Sequence, residues 1–368
     1  MRIVSIFLVL FIYSCSTIQN KNTKTSKEEI TFTNLFSSEM KEGVSCFRIP
    51  ALVTAPNGDL IAAIDERVPS CGDLKWSNDI NIVIRRSKDN GKSWSNMETI
   101  VDYPLGQSAS DASMIVDEIT KEIFLFFNYM NLETEKDIYY LKMISSKDNG
   151  HSWSTPIDLT SQITLTEWQK YFKFITSGRG IQTKSGALIH NIVNLEKGLF
   201  LFKSNDHGKT WHLIETAIKP ADESKIVELA DGTLMINSRV NNLGYRYIHT
   251  SKDGGLSWTS LPDKQLIDAG CNASIIRYSQ NILLFSNLNS EKNRENLTVK
   301  YSTDEGKTWS KGKIIYAGSA GYSSMTVLKD GDIGLFFEKD GYTSNVFTKF
   351  SLEWLTNGTV KSKSIRKK

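Results

Sequence analysis

The side chains able to do chemistry are unevenly informative. Arg48 stands in Phe47-Arg48-Ile49-Pro50, and a guanidinium is a permanent charge whose planar fork suits a carboxylate better than an ammonium does. Four residues alone are weak evidence. The five histidines, His151, His190, His207, His212 and His249, are scattered without metal-ligand spacing. They read as surface residues, and neither a metal nor a cofactor is implied. After Cys15, the cysteines Cys46, Cys71 and Cys271 form no Cys-x-x-Cys pair, which leaves room for one disulfide but not for a disulfide framework. With 44 basic and 41 acidic residues the net charge is only +3, too small a field to select nucleic acid or a membrane. Any anion recognition must be local.

Whatever these groups do, a repeat must position them. The pattern Ser-x-Asp-x-Gly-x-[Ser/Thr]-Trp starts at Ser87, Ser146, Ser204, Ser251 and Ser302, and its aspartates, Asp89, Asp148, Asp206, Asp253 and Asp304, recur at intervals of 59, 58, 47 and 51 residues. That is the period of one four-stranded propeller blade. Each copy reads as a hairpin turn: the aspartate accepts from nearby N–H groups, the glycine supplies positive φ, and the tryptophan packs between strands. Flanking runs such as 80–84, 123–127 and 333–337 are short and β-rich, with no competing helical period. A spacing near 50 over residues 30–354 gives an all-β, six-bladed β-propeller with one blade lacking the turn. Noncatalytic proteins use such turns too, so the repeat does not specify an enzyme.

The Phe-Arg-Ile-Pro motif upstream of five such turns resembles the bacterial exo-α-sialidase (neuraminidase) family over nearly the whole mature chain. Sialic acid carries a carboxylate on its anomeric carbon, and three arginines converge on it in that family. The resemblance implies Arg48, Arg239 at the end of 231–239, and Arg294 before the last turn for these roles. It implies Tyr322, in Gly321-Tyr322-Ser323-Ser324-Met325, as nucleophile, since a phenol meets less repulsion at a carboxylate-bearing centre than a carboxylate would. Glu223 would activate that phenol, whose ordinary pKa is near 10, with Glu228 as the local competitor. Asp73, in Ser70-Cys71-Gly72-Asp73, would be the general acid and would need a raised pKa. Asp65 and Asp79 compete for that role. Arg67 and Asp111 match substrate contacts near O4 and the N-acetyl group, and Glu338 matches the acid that orients the first arginine.

The implied activity is retaining hydrolysis of terminal α-linked sialic acids from sialylated glycans. A trans-sialidase would share the machinery, a sialoglycan-binding lipoprotein would keep only the arginines, and a propeller acting on another sugar would keep only the turns. Arg2 followed by the apolar run 3–13 reads as an export signal too short to span a bilayer. Ile12-Tyr13-Ser14-Cys15 resembles a lipoprotein box with Cys15 lipidated, 16–29 a polar tether, 30–360 the catalytic domain and 361–368 a basic tail. The expected location is the cell envelope, with the membrane reached only through a lipid anchor.

Overall fold

The computed structural model describes residues 30–361, so the export signal, Cys15, the tether and the tail from 362 onward lie outside the described residues. Within them the chain is all-β, with helix confined to short segments such as Thr160–Ile163 and Leu352–Thr356. No helix of the described residues is long and apolar enough to cross a membrane. Several strands are buried on both faces, Leu60–Val68 and Ile123–Asn131 among them. This is why they read as continuous apolar runs and not as alternating ones.

Most strands pair antiparallel with their sequence neighbours, and short parallel pairs join Asp79–Ser87 and Gly178–Arg179 to Gln107–Val116. One sheet runs Cys46–Thr54, Leu60–Val68 and Asp79–Ser87, edged by Glu98–Val101, and continues through Gln107–Val116, Ile123–Asn131, Tyr140–Ser146 and Ile157–Asp158. A second pairs Lys173–Ile175, Leu188–Asn194, Gly198–Ser204 and His212–Ile218, and a third holds Ser224–Glu228, Leu234–Ser238, Tyr245–Ser251 and Thr259–Ile267. The last contains Ser274–Ser279, Ile282–Leu288, Glu295–Ser302, the long Lys313–Val327, Ile333–Lys339 and Ser344–Phe350. Its outer edge is Thr33–Ser37, from the other end of the described chain.

The five repeated turns follow the third strand of successive units, as the motif implied. In each, the aspartate accepts from the N–H four residues on at 2.8–3.0 Å, and the leading serine accepts from the glycine N–H at 2.8–2.9 Å. The glycines sit at φ +79 to +98 and back onto the preceding unit: a Cβ at Gly91, Gly150 or Gly208 would collide with Phe347, Ile61 or Phe124. Ser344–Phe350 needs no such turn, because its outer neighbour arrives from Thr33–Ser37.

The inner strands of successive units and the residues beside them are tied by buried hydrogen bonds. Ser110 donates to Asp65 at 2.7 Å, Ser113 meets His190 at 2.6 Å, and Asn191 donates to the Ser224 carbonyl at 2.6 Å. Lys225 donates to Asn272 at 2.6 Å, Met325 N–H to Ser274 at 3.1 Å, and Leu52 N–H to Ser324 at 3.0 Å. The reading of every histidine as a surface residue is corrected here. His190 and His249 are both fully buried: the His190 strand packs on two faces, and each imidazole finds a hydroxyl, Ser113 or Ser260. His190 is thereby held neutral, with its pKa pushed down to about 3 by burial and then by the charge of Lys225.

Candidate active site

Three inner strands carry the same irregularity at the same level. Pairing skips from Arg48 to Ala51, from Ser110 to Ser113 and from Ala320 to Ser323, so two residues face one across each gap. Ile49-Pro50, Asp111-Ala112 and Gly321-Tyr322 are the bulged pairs. Ile49 and Asp111 take φ of 70° and 65°, a left-handed conformation that a β-branched isoleucine rarely adopts. A bulge re-aims side chains and frees N–H groups from the ladder, and here buried carboxylates take up the freed N–H groups. Glu338 accepts from Ile49 N–H at 2.9 Å and from Tyr322 N–H at 2.8 Å, while Asp65 accepts from Asp111 N–H at 2.9 Å.

Glu338 also accepts from Arg48 Nε at 2.8 Å, so one buried acid fixes both the first arginine and the tyrosine backbone. Tyr322 donates its hydroxyl to Glu223 Oε2 at 2.7 Å. Arg239 donates to the same Glu223 oxygen and reaches the Tyr322 hydroxyl at 3.4 Å. Arg239 is held from behind through Nε to Asn241 at 2.7 Å, and Asn241 in turn donates to Asp222 at 2.8 Å. Arg48 and Arg294 lie 5.6 and 5.8 Å from the centre of the Tyr322 ring. The three arginines named from the sequence therefore surround one phenol. Burial, then the neighbouring Glu223 charge, raises the Tyr322 pKa well above its ordinary value against the opposing pull of Arg239, so the resting phenol is protonated.

The acid loop reaches the same place. Asp73 has a side chain 60% exposed, accepts from Arg67 at 2.6 Å and lies 4.0 Å from Arg48. Arg67 is buried, and its remaining contacts run to the Cys71 and Gly72 carbonyls at 3.1 and 3.2 Å and to Asp65 at 3.0 Å. Its guanidinium thus holds the loop as well as facing the site. Asp111 accepts from Asn128 at 3.0 Å, and burial together with the charge of Asp65 pushes its carboxyl well above the usual range. Asp65 itself is fully buried among Arg67, Ser110 and Asp111. Glu228 lies at the far end of its strand from Glu223 and accepts from Lys184 N–H at 2.7 Å.

Sequence reasoning missed two participants, and left the cysteine pairing open. Tyr342, at φ 73° in a turn, accepts from Arg294 at 2.9 Å and lies with its ring 4.0 Å below the Arg48 guanidinium. Its only sequence signal is an aromatic four residues after Glu338. Lys225, two residues along the strand from Glu223, is buried, and burial lowers its pKa to about 7. Cys46 and Cys71 form a disulfide, leaving Cys271 a buried thiol. Among the described residues no cluster of His, Cys, Asp and Glu could hold a metal ion.

Residues 58–335 match the BNR repeat-like domain family. The chain belongs to that family. Its sequence is 34% identical over 352 residues to a sialidase of Micromonospora viridifaciens, covering 86% of this chain and 53% of that protein. It is 30% identical over 330 residues to a sialidase of Bacteroides fragilis, covering 80% and 60%, so it spans a little over half the length of these relatives. An exo-α-sialidase of Aspergillus fumigatus is 27% identical with 86% of both chains covered. Among solved structures, a Hadza microbial sialidase superposes with TM-score 0.77 at 28% identity, covering 85% of this chain and 67% of that one. The likeness to a sialidase family with BNR repeats, first read from Phe47–Pro50 and the five turns, is borne out.

Proposed function

We propose that this BNR-repeat protein is an exo-α-sialidase that hydrolyses terminal α-linked sialic acids from glycoproteins, glycolipids or oligosaccharides with retention of configuration. The observation that carries this reading is the Tyr322–Glu223 hydrogen bond set inside three arginines. A phenol next to a carboxylate base is an activated nucleophile, and three guanidinium groups around it select a substrate whose reacting carbon bears a carboxylate.

In the proposed reaction Arg48, Arg239 and Arg294 hold the substrate carboxylate, with Arg67 and Asp111 facing the ring substituents. Glu223 takes the phenolic proton as Tyr322 Oη bonds to the anomeric carbon. The bond from that carbon to the glycosidic oxygen breaks, and Asp73 gives its proton to the departing oxygen. Asp73 then takes a proton from water, the water oxygen bonds to the anomeric carbon, the tyrosyl bond breaks, and Glu223 returns its proton to Tyr322. Two inversions give net retention. Glu338 keeps Arg48 and Tyr322 in place between turnovers.

The architecture we propose is a closed six-bladed propeller with the site at one end of its axis. Three kinds of contact support closure: hydrogen bonds linking inner strands of successive units, including Leu52 to Ser324, the packing of each turn glycine on the preceding unit, and the pairing of Thr33–Ser37 with Ser344–Phe350. We further propose export and lipid anchoring at Cys15, checked by mass spectrometry of the mature N-terminus. The activity is tested by incubating the protein with an aryl sialoside, 3′-sialyllactose and neutral aryl glycosides while NMR follows the released sugar. Release of α-sialic acid from the two sialosides alone is the expected result. Cleavage of the neutral glycosides, or binding without turnover, would overturn it.

A further inference from the structure

Within the loop that carries Asp73, the segment 70–73 has little of its own to hold it. Between the strand ending at Val68 and the one starting at Asp79 the only regular element is the single turn Leu74–Trp76, and Leu74 is its one buried residue. Asp73 itself is mostly exposed. The later part of the loop is seated by Leu74, which packs with Met130 and Tyr139, and by the Ser77 carbonyl, which accepts from Ser108 at 2.6 Å; two attachments hold the part that carries Asp73. One is the Arg67 guanidinium, which bonds Cys71, Gly72 and Asp73 in succession. The other is covalent: Cys71, two residues before Asp73, is bridged to Cys46, two residues before Arg48. The disulfide therefore joins the loop bearing the proton donor to the strand bearing the first arginine, with the same two-residue offset on each side.

Resting on the function proposed above, we infer that the Cys46–Cys71 disulfide is a positioning element for the proton donor. Reducing it leaves carboxylate binding and the Tyr322 nucleophile in place but lets Asp73 leave the glycosidic oxygen. The physical basis is that proton transfer needs the donor within hydrogen-bond reach of the oxygen, about 2.6 to 3.2 Å. With the bridge open, the segment 70–73 keeps only the Arg67 guanidinium to hold Asp73 toward the site, and it samples longer distances. Arg48 and Tyr322 sit on paired strands and share Glu338, while Arg239 and Arg294 flank strand ends and are held by Glu223, Asn241 and Tyr342, none of them on the loop.

Leaving-group chemistry separates this from general loosening of the fold. A sugar hydroxyl is a poor leaving group and requires protonation, whereas a nitrophenolate departs unprotonated. The test compares kcat/KM on 3′-sialyllactose and on a nitrophenyl sialoside for the wild type, for Cys46→Ser/Cys71→Ser, for Asp73→Ala, and for the triple variant. General acids contribute about 10² to 10⁴ in rate. The cysteine variant should accordingly lose at least about tenfold on sialyllactose, and far less on the nitrophenyl substrate. In the Asp73→Ala background, removing the cysteines should cost nothing further on sialyllactose, because the group they position is gone.

Equal losses on both substrates, or an undiminished cysteine effect in the Asp73→Ala background, would overturn the inference. If the cysteine variant does not fold, the folded wild type is reduced with a phosphine and alkylated. The same split between substrates is then expected, with a thermal melt confirming that the fold persists. A wild type that turns over neither sialoside would sink the functional reading and the inference together. Wild-type turnover with no split sinks the inference alone.

Discussion

Replacing Glu338 by glutamine tests whether one buried carboxylate organises the site. Its two oxygens accept from Arg48 Nε, Ile49 N–H and Tyr322 N–H at 2.8–2.9 Å, and the side chain is fully buried. Glutamine keeps the shape but has one carbonyl oxygen. Its NH₂ must face either Tyr322 N–H or the pair from Arg48 and Ile49, donor against donor. At least one hydrogen bond to a charged group, about 1.5 to 3 kcal/mol, is lost, and Arg48 keeps a positive charge without its main partner. Breaking a buried pair from one side costs about 3 to 5 kcal/mol. Arg48 is 12% exposed and has Asp73 at 4.0 Å, which moderates that cost to about 3 kcal/mol. At about 2 °C per kcal/mol for a chain of this size, Glu338→Gln should lower Tm by about 6 °C in calorimetry at neutral pH. Sialoside turnover should fall as well, because Tyr322, the proposed nucleophile, and Arg48 lose their common anchor. A Tm within about 2 °C of wild type would refute the reasoning.

Other perturbations follow from the same contacts. Tyr342→Phe removes the oxygen that accepts from Arg294 but keeps the ring under Arg48; losing one charged hydrogen bond should raise KM for sialosides by about tenfold with little change in kcat, and an unchanged KM would contradict the role given to Tyr342. His190 has a folded pKa of about 3, below its ordinary 6.5. Its contribution to stability is therefore complete above about pH 6.5 and is lost as pH falls toward 3, by up to about 1.4 kcal/mol per unit. Urea midpoints between pH 4 and 7 should show that slope, and His190→Gln should flatten it by one proton. Gly208→Ala forces a side chain onto φ +82 and into Phe124; strain and overpacking together should cost about 2 to 5 kcal/mol, read by denaturant unfolding, and a neutral result would contradict the tight seating of the turn.

The β-rich runs and the five turns were legible because their signal is local: hydroxyl, carboxylate and glycine lie within eight residues and satisfy one another. The sequence also names the residues that the structure gathers around Tyr322, since each sits in a short motif. What it does not reveal is long-range. That Glu338 serves two bulges depends on a contact spanning 289 or 290 positions, and the three matching bulges leave no pattern beyond an isoleucine and an aspartate in unusual backbone. The burial of His190 was misread because an imidazole among β-branched residues looks the same whether its strand has one packed face or two. The Cys46–Cys71 pairing was open for a similar reason: three cysteines allow three bridges, and only folding brings the loop at 71 beside the strand at 46.

The central claim is that Tyr322 forms a covalent bond to the anomeric carbon of a sialoside. It is tested most directly by trapping the protein with a fluorinated sialosyl fluoride, whose second step is slow, and mapping the adduct by peptide mass spectrometry. The account predicts a single glycosyl adduct on Tyr322, absent from Tyr322→Phe and lost slowly as water resolves it. Modification of Glu223 or Asp73 instead, or normal sialoside turnover by Tyr322→Phe, would contradict it.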